Sequence, residues 1–136
     1  MSTRFPHLLS PMRIGNMEVR NRLVTSAYQT NLGQDYRPTR RMAEYHAARA
    51  RGGAGLVVLE GARLHPTTRS SQANLIGWDE EAIPEFRMVA DAVHQHGAKI
   101  VGQILHLGRT ASSADTLLPL WSASIVPAPP VFGLNT

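Results

Sequence analysis

The sequence contains no cysteine, which excludes a disulfide framework, a thiolate-held metal cluster and a thiol nucleophile within these 136 residues. It holds a single lysine, Lys99, so the net charge of +4 and the isoelectric point near 10.3 come almost wholly from arginine. Those arginines are scattered from Arg4 to Arg109 with one adjacent pair, Arg40-Arg41, and the aromatic residues, at 6%, are not interleaved with them. A nucleic-acid surface gathers both kinds of residue on one face, so none is expected. Long hydrophobic runs are missing too. Ala54 to Leu59 is far too short to span a bilayer, and Met1-Ser-Thr-Arg-Phe-Pro6 lacks the apolar stretch of a secretory signal. The expected location is cytoplasmic, with no membrane contact. The histidines supply no metal motif: His94 and His96 stand two apart on a predicted helix and point to different sides, and no His-Glu-x-x-His occurs.

What is present describes a globular chain, with 43% apolar and 18% charged residues. Met12 to Arg20 alternates apolar and polar residues on either side of Gly15-Asn16, the pattern of a short hairpin with a two-residue turn. Leu23-Val24-Thr25 reads as a brief strand, followed by a long polar loop from Ser26 to Pro38. Thr39 is placed to cap a helix running to about Arg51, closed by Gly52-Gly53. The continuous apolar run Gly55 to Glu60 predicts a parallel strand buried on both faces, and a second polar loop is expected from Gly61 to Trp78. Pro84 suits the first turn of a helix whose Phe86, Val89, Ala90 and Val93 recur at helical spacing until Gly97. Met42 and Tyr45 are read as packing residues. A third strand is expected from Ala98 to Ile104, and the tail, Ala111 to Thr136, reads as loop-like, with Pro119, Pro127, Pro129 and Pro130.

Strands of this spacing, separated by helices, predict βα units with parallel pairing. The loops after the strands are long and the turns back into them are tight, which marks one functional face at the strands' carboxyl ends. The fold expected is α/β: the N-terminal part of a TIM (β/α)8 barrel, about three βα units preceded by a β-hairpin, forming a single partial domain over residues 1–136. A complete barrel takes roughly 250 residues. Three strands cannot close one, so the third strand is expected to leave an exposed edge open to self-association.

The run Gln103-Ile-Leu-His-Leu-Gly-Arg109 puts amide, imidazole and guanidinium groups at the carboxyl end of the third strand. Taken alone, Gln103 reads more readily as a residue that satisfies backbone groups at a strand end than as a ligand-binding one. Together with Leu8 to Asn16, Asn21-Arg-Leu-Val24 and Gly52-Gly-Ala-Gly-Leu56, however, the run resembles the NADH:flavin oxidoreductases of the Old Yellow Enzyme type, most closely the branch with 2,4-dienoyl-CoA reductase and trimethylamine dehydrogenase. Four motifs in the family's order cover almost the whole chain.

The resemblance implies FMN across the strands' carboxyl ends, with NAD(P)H as reductant and a small-molecule substrate. Ser26, Ala27, Tyr28 and Gln29 would lie along the isoalloxazine, Gly61 would occupy the matching place after the second strand, and Gln103 would face the pyrimidine edge. That edge alternates carbonyl acceptors with an N–H donor, and a carboxamide offers both partners. Gln29 stands where relatives carry Thr, Cys or His near the flavin C4 carbonyl and N5, while Ala27 and Tyr28 depart from the Pro-Met common in the wider family. His106 and Arg109 would sit near the flavin edge, His106 either orienting or moving protons. The family's substrate-anchoring pair, its proton-donating Tyr and its main phosphate site come from later strands, so no catalytic residue is assigned here. The expected function is the N-terminal segment of an FMN-dependent ene-reductase. A catalytically inert fragment or partner-dependent half-barrel is the alternative, and a different barrel enzyme using His106 and Arg109 on an anionic substrate is a third.

Overall fold

The computed structural model describes residues 4–126. After one helical turn, α1 (Pro6–Leu9), strands β1 (Met12–Ile14) and β2 (Met17–Val19) form the expected antiparallel hairpin, with Met12 opposite Val19 and Ile14 opposite Met17. Gly15 takes a φ of +57° in the turn, a conformation that costs glycine little. The hairpin is fastened to the body by Arg20, whose guanidinium donates to the carbonyls of Ala50, Ala54 and His96 at 2.6, 2.8 and 2.6 Å.

The body is a parallel sheet of β3 (Val24–Thr25), β4 (Leu56–Arg63), β5 (Leu75–Ile76) and β6 (Lys99–Leu105). β4 is central: β6 pairs along one edge from Leu56↔Lys99 to Arg63↔Leu105. β3 pairs with its first residues, Leu56 and Val57, and β5 with its last, Ala62 and Arg63. Helices α2 (Arg40–Arg51) and α3 (Ile83–His94) cover one face. Thr39 caps α2 as expected, its hydroxyl accepting from the Met42 N–H at 3.2 Å while donating to the Leu32 carbonyl at 2.6 Å. Such a cap contributes about 1 kcal/mol. At the other end Asn21 donates to the Gly53 carbonyl at 2.8 Å, and any Cβ on Gly55 would lie 2.6 Å from the Asn21 amide oxygen. Glycine is therefore required where the chain turns into β4.

Apolar periodicity translates directly into packing. Met42 and Ala43 of α2, Val89 of α3, and Leu59, Ala62 and Leu75 of the sheet form one buried cluster; Ala50, Ala54, Val57, Val93 and Ala98 form a second. Tyr45 is half-buried under the Arg49 guanidinium, 3.2 Å from its ring centroid.

Three boundaries differ from the sequence reading. β4 continues past Glu60 to Arg63, because Gly61 sits in a bulge and does not end the strand. The following loop contains a 3-10 turn, Pro66–Thr68, and the short strand β5. Two βα units are complete; among the described residues β6 is followed by a 3-10 turn at Gly108–Thr110 and the one-turn helix α4 (Ser113–Thr116). The proline-rich stretch 127–136 lies outside the described residues. Among the described residues no helix is long and apolar enough to cross a membrane.

His46 of α2 is buried with neither ring nitrogen hydrogen-bonded, its ring edge-on to Tyr45. Burial, aided by the charge on Arg49, lowers its pKa from 6.5 to about 4. The folded chain thus holds His46 neutral while the unfolded chain protonates it below about pH 6.5. Its contribution is complete above that value and is lost as pH falls towards 4. Urea unfolding at pH 7, 5.5 and 4.5 is expected to show a steeper acid loss of stability in the wild type than in His46→Leu.

Candidate functional site at the strand ends

The bulge in β4 determines the site. Leu59 pairs with Gly102 and Ala62 with Ile104, so Glu60 and Gly61 together stand opposite Gln103 alone. An extra residue of this kind bends a strand and re-aims its side chains. Leu59 and Ala62 both pack against the helices, and Ile100 does the same from β6. By strand alternation Val101, Gln103 and Leu105 lie on the opposite face. A Cβ on Gly61 would lie 3.0 Å from Gln103 Oε1 and 2.9 Å from Leu105 Cδ2, so the Gln103 carboxamide crosses directly over the glycine. Gln103 is exposed.

Glu60 reaches the other way. It is 2% exposed, and its carboxylate accepts from the Thr30 N–H at 2.8 Å and from the Thr30 hydroxyl. This pins the loop after β3 beside the bulge, one residue beyond the stretch Ser26 to Gln29. Ser26 and Gln29 are exposed, Ala27 is half-buried and Tyr28 is 68% exposed. Gln29 Nε2 donates to Asn31 Oδ1 at 3.1 Å. The same loop is fastened at its far end by Arg37, which bridges Asp79 at 2.8 Å and Glu81 at 3.0 Å. The Glu81 hydrogen bond raises the Arg37 pKa; burial opposes it, and Asp79 adds to the rise.

The chain from residue 7 to 125 matches the family model described as NADH:flavin oxidoreductase / NADH oxidase. The chain belongs to that family. It is 40% identical over 116 residues to an NADH oxidase of Thermoanaerobacter brockii, an alignment covering 84% of this chain and 18% of that protein. It is 30% identical over 125 residues to a multifunctional alkene reductase/demethylase of Caballeronia cordobensis, covering 90% and 18% respectively. The old yellow enzyme homologue of Zymomonas mobilis superposes with a TM-score of 0.81 at 27% identity, over 91% of this chain and 35% of that one. The fold is accordingly the N-terminal part of a TIM barrel. The chain spans under a fifth of the length of the two curated relatives named.

Members of the NADH:flavin oxidoreductase family use FMN and NAD(P)H. The donor set at the bulge fits a flavin. An exposed carboxamide provides adjacent donor and acceptor groups, and Gly61 beneath it carries no side chain to exclude a flat ring. His106 and Arg109 are exposed just beyond β6. His106 Nδ1 accepts the Gly108 N–H at 3.0 Å, which makes Nε2 its protonated nitrogen, 3.5 Å from the Thr67 hydroxyl. His106 is thus tied to its own turn.

Sequence reasoning missed the polar groups behind this face. Arg63 is 5% exposed and donates to Asn74 Oδ1 at 2.8 Å and Ser70 Oγ at 3.4 Å. Burial pulls its pKa down, with Glu60 opposing. His65 stacks on Trp121 with ring centroids 4.2 Å apart, joining the segment after α4 to the loop after β4. The signal available was two charged residues, Glu60 and Arg63, flanking a glycine in an otherwise apolar run.

Removing the Glu60 carboxylate tests the clamp. Losing a hydrogen bond to a charged group costs about 1.5–3 kcal/mol. In Glu60→Ala the Thr30 amide is therefore expected to exchange with solvent about tenfold faster or more, while amides of α2 are slowed or speeded far less.

Proposed function

We propose that this chain forms the flavin-ring face of an FMN-dependent NAD(P)H oxidoreductase of the ene-reductase type. The observation that carries the reading is the Gln103 carboxamide, exposed and lying over the Cβ-less Gly61 at the bulge. Gln103 would pair with the pyrimidine edge, Gly61 would leave room for the ring above β4, and Ser26, Ala27, Tyr28 and Gln29 would line its other side. When bound, FMN supplies a carrier able to accept a hydride from NAD(P)H and deliver one to an activated alkene. That the Caballeronia relative is an alkene reductase/demethylase supports the alkene as acceptor. The motifs Gly52 to Leu56 and Gln103 to Arg109 support the 2,4-dienoyl-CoA reductase and trimethylamine dehydrogenase branch. The residues of this chain bind and orient the ring; substrate anchoring and protonation are left to groups outside it.

Titration of the full chain with FMN, followed by flavin fluorescence and visible absorbance, tests this. A neutral hydrogen bond contributes about 0.5–1.5 kcal/mol net. Gln103→Ala, which removes two, is expected to weaken uptake about tenfold. Gly61→Ala is expected to do the same by displacing Gln103 and Leu105. Equal uptake by wild type and Gln103→Ala would overturn the site assignment.

A second reading, that the chain works only when another polypeptide completes the barrel or a second copy covers its edge, is favoured by the sheet itself. Among the described residues β6 pairs only with β4, and Ile104 is 72% exposed and Val24 49%. Edges of this kind pair with other chains. Sedimentation that finds a monomer across micromolar concentrations would remove self-association from this reading.

A further inference from the structure

Beyond pinning the loop, the polar groups behind the bulge fix the direction in which one amide faces. Arginine can only donate hydrogen bonds. The contact of Arg63 Nη2 with Asn74 Oδ1 at 2.8 Å therefore establishes that atom as the oxygen, and the Ser70 hydroxyl donates to it as well at 2.7 Å. The other end of the Asn74 amide is then its NH₂, which donates to Asn31 Oδ1 at 3.5 Å. Because that Asn31 atom is an oxygen, the Gln29 atom 3.1 Å from it must be the amide nitrogen. Each step follows from the one before, and the whole series is anchored on a guanidinium that is 5% exposed and an asparagine that is 3% exposed. Asn31 itself has a φ of +55°, a left-handed conformation that asparagine tolerates better than other side-chain-bearing residues. This conformation is what lets its short side chain collect donors from both loops.

From this we infer that Arg63, Asn74 and Asn31 are positioning residues that set the polarity of the Gln29 amide. One Gln29 N–H is committed to Asn31. What the side chain offers a ligand is its carbonyl oxygen and its remaining N–H. Gln29 is thereby a fixed acceptor-plus-donor group, where a freely rotating amide would present either end. The inference rests on the flavin reading for the identity of the ligand, but the relay itself exists in the unliganded chain and is measurable there.

The substitution Asn31→Gly isolates the relay, because glycine adopts the same backbone conformation without strain while deleting the acceptor. In the 15N-labelled full chain without FMN, the Gln29 side-chain amide pair is expected to be dispersed from its random-coil position. It is expected to collapse towards that position in Asn31→Gly and in Asn74→Ala, with the circular dichroism spectrum unchanged. With FMN, Asn31→Gly is expected to weaken uptake three- to tenfold and shift the visible flavin band. Neither effect should occur when Gln29 is already alanine, since the relay acts through that residue. An unchanged Gln29 amide signal in Asn31→Gly, or the same loss of FMN in the Gln29→Ala background, would overturn the inference. A dispersed, relay-dependent amide in a chain that takes up no FMN would support the relay and contradict the flavin reading.

Discussion

Between Leu59 and Ala62 the backbone of β4 carries two residues where β6 carries one, and that mismatch decides which side chains meet at the top of the sheet. Without it, strict alternation would put residues 59, 61 and 63 on the helix side, burying Arg63 among apolar groups and turning Ala62 outward. With it, Leu59 and Ala62 both stay in the core, Gly61 comes beneath Gln103, and Glu60 is free to reach Thr30. A side chain at position 61 would push aside the ends of Gln103 and Leu105. The bulge, the glycine and the glutamine therefore form one structural unit spread over two strands.

Charges drawn inside the fold are costly unless hydrogen-bonded. Glu60 and Arg63 find partners in opposite directions. The carboxylate is satisfied by the loop after β3, whereas the guanidinium donates through Nη2 to Asn74 and Ser70 of the loop after β4 and keeps its Nε buried without a partner. Two buried ionic side chains on the central strand thus act alongside the apolar anchors Leu32 and Leu75 in holding long segments above the sheet. Asn31 links the two loops where they meet.

Much of this architecture was legible in the sequence, and the reasons are local. Thr39, Pro84 and the glycines at 15, 53 and 97 announce their turns and caps through backbone chemistry that needs no tertiary context. The apolar stripe of α3 and the continuous run in β4 report burial on one face and on two. The extent of β4 was not legible, because a glycine in a strand pattern signals an end, a bulge or a close approach equally well. Register against β6 decides among these, and register is a property of two segments. The relay from Arg63 to Gln29 was illegible for the same reason: its members lie on three different stretches of chain, and no spacing connects them. Within the flavin assignment, Gly61 and Gln103 are in contact, and the stretch from Ser26 to Gln29 is held nearby through Thr30.

The account stands on the claim that the strand ends around the bulge, and no other surface, receive the flavin ring. A 15N–1H correlation spectrum of the full chain, recorded as FMN is added, tests it most directly. The predicted result is shifts confined to amides of residues 26–31, 60–63 and 103–106, including the side-chain amide of Gln103. Shifts centred on the outward surface of α2 and α3, or an unchanged spectrum at saturating FMN, would contradict it.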